Sequence, residues 1–201
     1  MTKSVEGVSE KIIACAKEEF LKKGYSDASL RTIAAKAGTT TGSIYSRFQD
    51  KEGLFSAIVE PAADHLVQRF LHIQDLFFRR AKEMKHYVSS GMVEMIDYIY
   101  DNFEVFELLL DASYGTKFQD FVERLVEIET EYTYKYMDVI HYRTEDGEVI
   151  TEDFIHIMTR ALFESMFEVV RHKMTKETAL RYMDMLEKYH CGGWNAILKW
   201  E

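Results

Sequence analysis

A single proline, Pro61, and ten glycines punctuate the 201 residues, and no stretch sustains the apolar/polar alternation of period two that marks strands. So few turn formers exclude a sandwich or barrel of many short strands, and the chain reads as helices throughout. Cysteine is nearly absent: Cys15 and Cys191 make no CxxC or zinc-ligand spacing, which excludes a disulfide scaffold and fits two free thiols in a reducing compartment. No apolar run approaches the ~18 residues of a membrane span, and the charged first helical stretch lacks the apolar core of a leader peptide. A cytoplasmic protein with no membrane contact is expected. Basic residues are outnumbered, 25 against 34 acidic ones for a formal charge of −9, so the chain as a whole is repelled by phosphate. That excludes a generally basic nucleic-acid coat protein, though not a local site. Repeats and low-complexity tracts are missing as well. Apolar residues, by contrast, make up 47% of the chain, enough to fill a substantial core and to exclude disorder as the main state.

Reactive constellations are equally scarce. There is no nucleophile elbow, no GxxxxGK phosphate loop and no HExxH, and none of the seven histidines pairs at a recurring metal-ligand spacing. No enzyme activity, metal or cofactor is expected.

The helices begin at about residues 9–23, where Ile12, Ala16 and Phe20 share a face and Gly24 supplies the stop. A second helix follows Asp27, with Ser29 able to cap it and Leu30, Ile33, Ala34 and Ala37 facing inward; Gly38 ends it. After Thr39, Thr40 and Thr41 comes a short third helix, with Ile44 and Phe48 at the i, i+4 spacing of a buried face. Asp50 caps a fourth helix opening at Lys51, which Pro61 is expected to kink or break. Further helices read at roughly 62–81, 83–101, 103–113, 117–142, 151–173 and 175–199, with residues 143–150 as the clearest loop.

Helix, tight link and short helix over residues 29–48 form a helix-turn-helix pattern, which presents its second helix to a DNA major groove. The wider string is more specific: Ile33-Ala34, Ala37-Gly38, Thr40, Gly42, Ile44-Tyr45, Phe48 and Lys51-Glu52-Gly53-Leu54-Phe55. Across about residues 9–60 it resembles the N-terminal signature of the TetR family of bacterial transcriptional regulators. Gly42, without a side chain, lets backbone approach a base edge. Thr40 and Thr41 offer hydroxyls to phosphate or methyls to thymine, Tyr45 a phenol to phosphate, and Lys51 an ammonium. The resemblance implies that residues matching Ser29, Thr40, Thr41, Gly42, Tyr45 and Lys51 are phosphate or groove contacts. Arg47 stands where the family often has a histidine, adding a candidate contact to phosphate or guanine. Each residue also has a structural reading: Ser29 and Thr40 cap helices with or without DNA, Tyr45 can pack on the bundle, and Lys51 can be a solvated charge. Charge divides in the same place, with nine basic and seven acidic residues in 1–52 against 16 and 27 in 53–201.

An all-α protein is therefore expected, with a three-helix helix-turn-helix domain at residues 1–52 and a larger helical effector-binding and dimerisation domain at 53–201. The resemblance implies a small-molecule pocket in the middle helices and pairing of the last two with a second subunit. Candidate pocket residues are Tyr87, Gly91, Met95 and Tyr98 on one stripe, and Phe121, Leu125, Glu129 and Tyr132 on another. Gly91 either admits a neighbouring helix or leaves room for a ligand. Glu129 inside an apolar stripe must find a partner or shift its pKa, by meeting a cationic ligand or an internal Arg, His or Tyr. The 151–173 helix is apolar around much of its circumference, so it needs covering on two sides; Phe154, Met158, Leu162, Met183, Leu186 and Trp194 are the candidate dimer contacts. A thick monomer core is the other reading. The expected function is a homodimeric repressor of a palindromic operator, released by a small-molecule effector; the alternative is an all-α scaffold whose helix-turn-helix is vestigial.

Overall fold

The computed structural model describes the backbone of residues 2–80, 88–139, 147 and 149–197. Among these residues there are nine helices and no strand, in the order α1 (Thr2–Asp27), α2 (Leu30–Lys36), α3 (Thr41–Phe48), α4 (Lys51–Arg80), α5 (Val88–Asp101), α6 (Phe103–Asp111), α7 (Phe121–Val139), α8 (Glu152–Arg171) and α9 (Lys176–Ile197). None is long and apolar enough to cross a membrane, and no described group of His, Cys, Asp and Glu has the makings of a metal site.

The chain forms two compact units, one of Met1–His65 with Asn102–Phe121, the other of Leu66–Asp101 with Val122–Glu201. They divide elsewhere than at the expected boundary after Glu52. The first unit keeps the opening turns of α4 because Leu54, Phe55 and Val59 are fully buried beside Ile12, Phe20, Ile33 and Ile44. It also takes in α6, whose Phe106 and Leu108 are fully buried. Phe20 meets Phe55 edge-on at 5.1 Å, and Phe118, in the turn after α6, lies 6.2 Å from Phe55.

Three elements differ from the sequence reading. α4 continues across Pro61 with no break. Pro61 removes one backbone donor, but it and Ala57, whose carbonyl would have received that bond, both lie on the exposed side, while Ile58, Val59, Ala62 and Leu66 are packed. α7 opens at Phe121 and leaves Phe118 outside it. Gly115 at φ +83°, the Thr116 hydroxyl accepting from the Phe118 N–H at 3.1 Å, and the Ser113 hydroxyl donating to the Leu109 carbonyl at 2.7 Å hold a compact turn there instead. α1 extends back to Thr2, and Gly24, at φ 72° and ψ 169°, breaks its helical path where a stop was expected. The expected loop at 143–150 lies largely outside the described residues.

In the second unit, Leu66, Phe70, Ile96, Ile99, Leu125 and Phe167 are among the buried residues, with Phe70 edge-on to Phe163 at 5.4 Å. Tyr100 donates to the Met174 carbonyl in the α8 to α9 connection at 2.9 Å, and Tyr182 of α9 donates to the Ser165 carbonyl of α8 at 3.0 Å.

Candidate nucleic-acid interface

Local hydrogen bonds set the geometry of α2 and α3. Ser29 and Thr40 sit in extended backbone and cap the two helices: the Ser29 hydroxyl accepts from the Thr32 N–H at 3.4 Å and the Thr40 hydroxyl from the Ser43 N–H at 3.2 Å. Gly38 at φ +66° makes the turn between them. Ile44 is fully buried and pins α3, which turns Gly42, Tyr45 and Ser46 outward on the opposite side. A Cβ at Gly42 would meet only the Thr40 hydroxyl, at 3.7 Å, so the backbone there is open to a large partner. Tyr45 is 53% exposed, an uncommon state for a large aromatic, while Thr41 is half-buried.

Arg47 does not reach outward. Its Nη1 donates to the Ser43 hydroxyl at 2.6 Å and to the Ser43 carbonyl at 3.2 Å, folding the side chain along α3, and its Nε is buried without a partner. Lys51 is likewise engaged: Nζ donates to the Ser26 carbonyl at 2.9 Å and lies 4.8 Å from the centroid of the Tyr25 ring. Burial lowers the pKa of Lys51, and Asp27 acts in the opposite direction. Sequence reasoning passed over Ser46, although it lies four residues from Gly42, the spacing that shares a helix face.

The α3 to α4 corner explains the Asp50-Lys51-Glu52-Gly53 run. Asp50 Oδ1 accepts from the Gly53 N–H at 2.7 Å, and the Gly53 Cα faces the Phe48 carbonyl so closely that a Cβ would fall 1.9 Å from its oxygen. Glycine at 53 is thus what lets the end of α3 rest on the start of α4.

The candidate pocket residues that are described lie on α5 and α7. Tyr87 lies outside the described residues, and for Gly91 only the helical backbone is described. Phe121 opens α7, counts with the first unit and lies 6.5 Å from the Phe106 ring. In the second unit Met95 and Leu125 are buried, and Tyr98 is half-buried with the Arg69 guanidinium 5.0 Å from its ring. Among the described residues Glu129 accepts from the Gln74 amide and the Thr133 hydroxyl, and none of these described partners is an Arg, His or Tyr. With only neutral donors to oppose it, burial pushes its pKa up to about 7. Tyr132 donates to Asp75 at 2.6 Å, which raises the phenol to about 12. Gln74 was missed, although it continues the inner face of α4 four residues past Phe70.

Of the dimer candidates, Met183 is only 3% exposed and packs within its own unit, because α9 turns it to the same side as the buried Ala179. Phe154, Met158, Leu162, Leu186 and Trp194 remain half-buried, with Trp194 edge-on to Phe154 at 6.0 Å and donating to His190 at 2.7 Å. Beside them Ile157, Met185 and Tyr189 are 56%, 63% and 81% exposed.

Residues 12–58 match the model of the bacterial regulatory proteins of the tetR family. An HTH-type transcriptional regulator of Bacillus subtilis, YvdT, is 38% identical over 69 residues, covering 34% of this chain and 36% of that one. The HTH-type transcriptional repressor BepR of Brucella suis is 40% identical over 50 residues, 25% of this chain and 24% of its own. The matches thus span about a third and about a quarter of those relatives. Two solved structures share the fold over nearly the whole length: NalD of Pseudomonas aeruginosa, the secondary repressor of the MexAB-OprM multidrug efflux pump (19% identity, TM-score 0.62, 98% of each chain), and SmeT of Stenotrophomonas maltophilia, the repressor of the multidrug efflux pump SmeDEF (18%, 0.66, 95% of this chain and 90% of that one).

Proposed function

We propose that this chain, a member of the tetR family of bacterial regulatory proteins through residues 12–58, is a sequence-specific DNA-binding transcriptional regulator, a repressor released from its operator by a small molecule. The observation that carries the reading is α3, eight residues capped at Thr40 and pinned by Ile44, with Gly42, Tyr45 and Ser46 facing open space. Laid in a major groove, this face brings backbone at Gly42 against base edges, hydroxyls of Thr40, Thr41 and Ser46 against bases or phosphate, and the Tyr45 phenol against a phosphate oxygen. Arg47 contacts DNA only by leaving Ser43. Ser29 contributes through its cap, which leaves its hydroxyl proton to donate to phosphate.

Reading is assigned to residues 1–52, and effector binding and dimerisation to residues 53–201, with the framework of the reading head continuing to His65 and taking in Asn102–Phe121. The exposed apolar faces of α8 and α9, around Ile157, Met185 and Tyr189, support pairing with a second copy. Two heads then meet half-sites of a palindrome about 34–36 Å apart or at a larger multiple of the DNA repeat. Effector bound among the helices of the second unit changes the head separation, and by linkage DNA and effector weaken each other equally.

The test is binding of the DNA flanking its own gene, read by fluorescence anisotropy across a salt series. Tyr45→Phe and Lys51→Ala fold normally and bind several-fold more weakly, and Lys51→Ala lowers the salt slope by about one. Unchanged affinity in both variants excludes this interface.

A further inference from the structure

A lysine in the first turn of a helix stands at the unfavourable, positive end of the helix dipole, and nothing in α4 itself holds Lys51 there. What holds it comes from the last turn of α1, past the kink at Gly24. The Ser26 carbonyl accepts from Nζ at 2.9 Å, and the face of the Tyr25 ring lies beneath the ammonium, 4.8 Å from its centroid. Both partners attract positive charge; the carbonyl takes one of the three ammonium protons, and the side of the ammonium away from the ring can donate to another acceptor.

Tyr25 is itself fixed from several sides. Gly24, at φ 72° and ψ 169°, kinks α1 just before it and sets its direction. Its N–H donates to the carbonyl of Ala112, the C-cap of α6, at 3.1 Å. Its ring is edge-on to Phe55 at 5.3 Å and stacked near Phe20 at 6.1 Å. The support of the Lys51 ammonium therefore runs from the end of α6 through Tyr25, within one compact unit.

We propose that Tyr25 is a positioning residue for DNA binding, whose ring, with the Ser26 carbonyl, holds the Lys51 ammonium ready for phosphate and makes its aim depend on the end of α6. The proposal rests on the DNA-binding reading. It adds a residue that never touches DNA and a route by which movement of α6 reaches a phosphate contact without altering α3.

A double-mutant cycle on the full chain tests it, using a mixed-sequence duplex at low salt, because a phosphate contact is independent of base sequence. Tyr25→Ala weakens binding by roughly three- to ten-fold, the scale of a lost cation–π support, whereas Tyr25→Phe, which keeps the ring, binds like wild type. In a Lys51→Ala background the Tyr25→Ala change adds no further loss. Equal losses in both backgrounds mean that Tyr25 acts by packing alone and overturn the proposal, as does a Lys51→Ala protein that binds like wild type. Should Tyr25→Ala unfold, Tyr25→Leu keeps apolar bulk without the π face: weaker binding than Tyr25→Phe supports the proposal, and equal binding overturns it. A wild-type chain that binds no duplex at any salt overturns the DNA-binding reading itself, a separate result.

Discussion

In the reading head, polar residues answer backbone groups three positions away: Ser29 to Thr32, Thr40 to Ser43, Asp50 to Gly53. In the second unit the informative polar pairs are distant, Glu129 with Gln74 across 55 residues and Tyr132 with Asp75 across 57. Both regions cap helices locally, since Thr151 accepts from Phe154 and Thr175 from Thr178 in the second unit; the difference is that Ser29 and Thr40 of the head rest on such caps and Glu129 and Tyr132 on long-range pairs. A locally capped head keeps its shape wherever the short motif is kept, and the match to the tetR family ends at residue 58. A unit built on long-range pairs can change its interior while keeping its helices.

The sharpest way to break this comparison is to change two glycines of the head that look alike in sequence. Gly53→Ala forces a Cβ to within 1.9 Å of the Phe48 carbonyl oxygen, and backbone cannot yield as a side chain does. A loss at or above ~3 kcal/mol, the upper range of overpacking, is expected in urea unfolding. Gly42→Ala meets only the Thr40 hydroxyl at 3.7 Å, so the protein stays folded and gains up to ~1 kcal/mol from helix propensity, yet binds DNA more weakly. Equal stability of the two variants would remove the distinction between a packing glycine and a contact glycine.

A second pressure falls on the outer face of α8. Ile157 is 56% exposed in one copy, while Ile155, two residues away, is fully buried. Ile157→Asp should therefore leave the subunit's own core intact and weaken self-association by ~2 kcal/mol per buried isoleucine, a shift that sedimentation over a concentration series measures. Operator affinity falls with it, because two heads no longer arrive together. Subunit unfolding that worsens at concentrations where wild type is monomeric would place Ile157 in the core instead.

The head was largely legible because its signals are local. Ser29, Thr40 and Asp50 announce caps, Gly24 and Gly38 turns, and Ile44 the side that faces inward. What escaped depends on partners far along the chain. Tyr25 gains meaning only once α6 brings the Ala112 carbonyl to it. Pro61 read as a break because periodicity does not say that its lost hydrogen bond falls on the exposed side. In the second unit the helices were legible and their contents were not. Met183 fits either face by pattern, and the described partners of Glu129 are neutral. Apolar periodicity fixes which side is inward, not which element lies there.

Glu129 gives the smallest predicted effect and the one most particular to the second unit. Its carboxyl titrates near 7 in the fold against an ordinary value of 4.5, because burial disfavours the ionised form and the Gln74 and Thr133 hydrogen bonds offset only part of that. Below 4.5 the group is protonated in folded and unfolded chains alike and contributes no pH dependence. Between 4.5 and 7 the folded chain holds the proton more tightly, so stability falls as pH rises; above 7 the loss is complete and flat. One pKa unit corresponds to ~1.4 kcal/mol, and partial exposure of the residue screens the shift, so a loss on the order of 1 kcal/mol is expected. Glu129→Gln keeps an acceptor for the Gln74 amide and removes the titration. The difference in urea midpoint between pH 5 and pH 8 should therefore be smaller in the variant than in wild type, and the variant should be the more stable of the two at pH 8. The same pH slope in both proteins would mean that the carboxyl keeps its water in the fold, and with it that the second unit's interior is no less solvated than the exposed caps of the head.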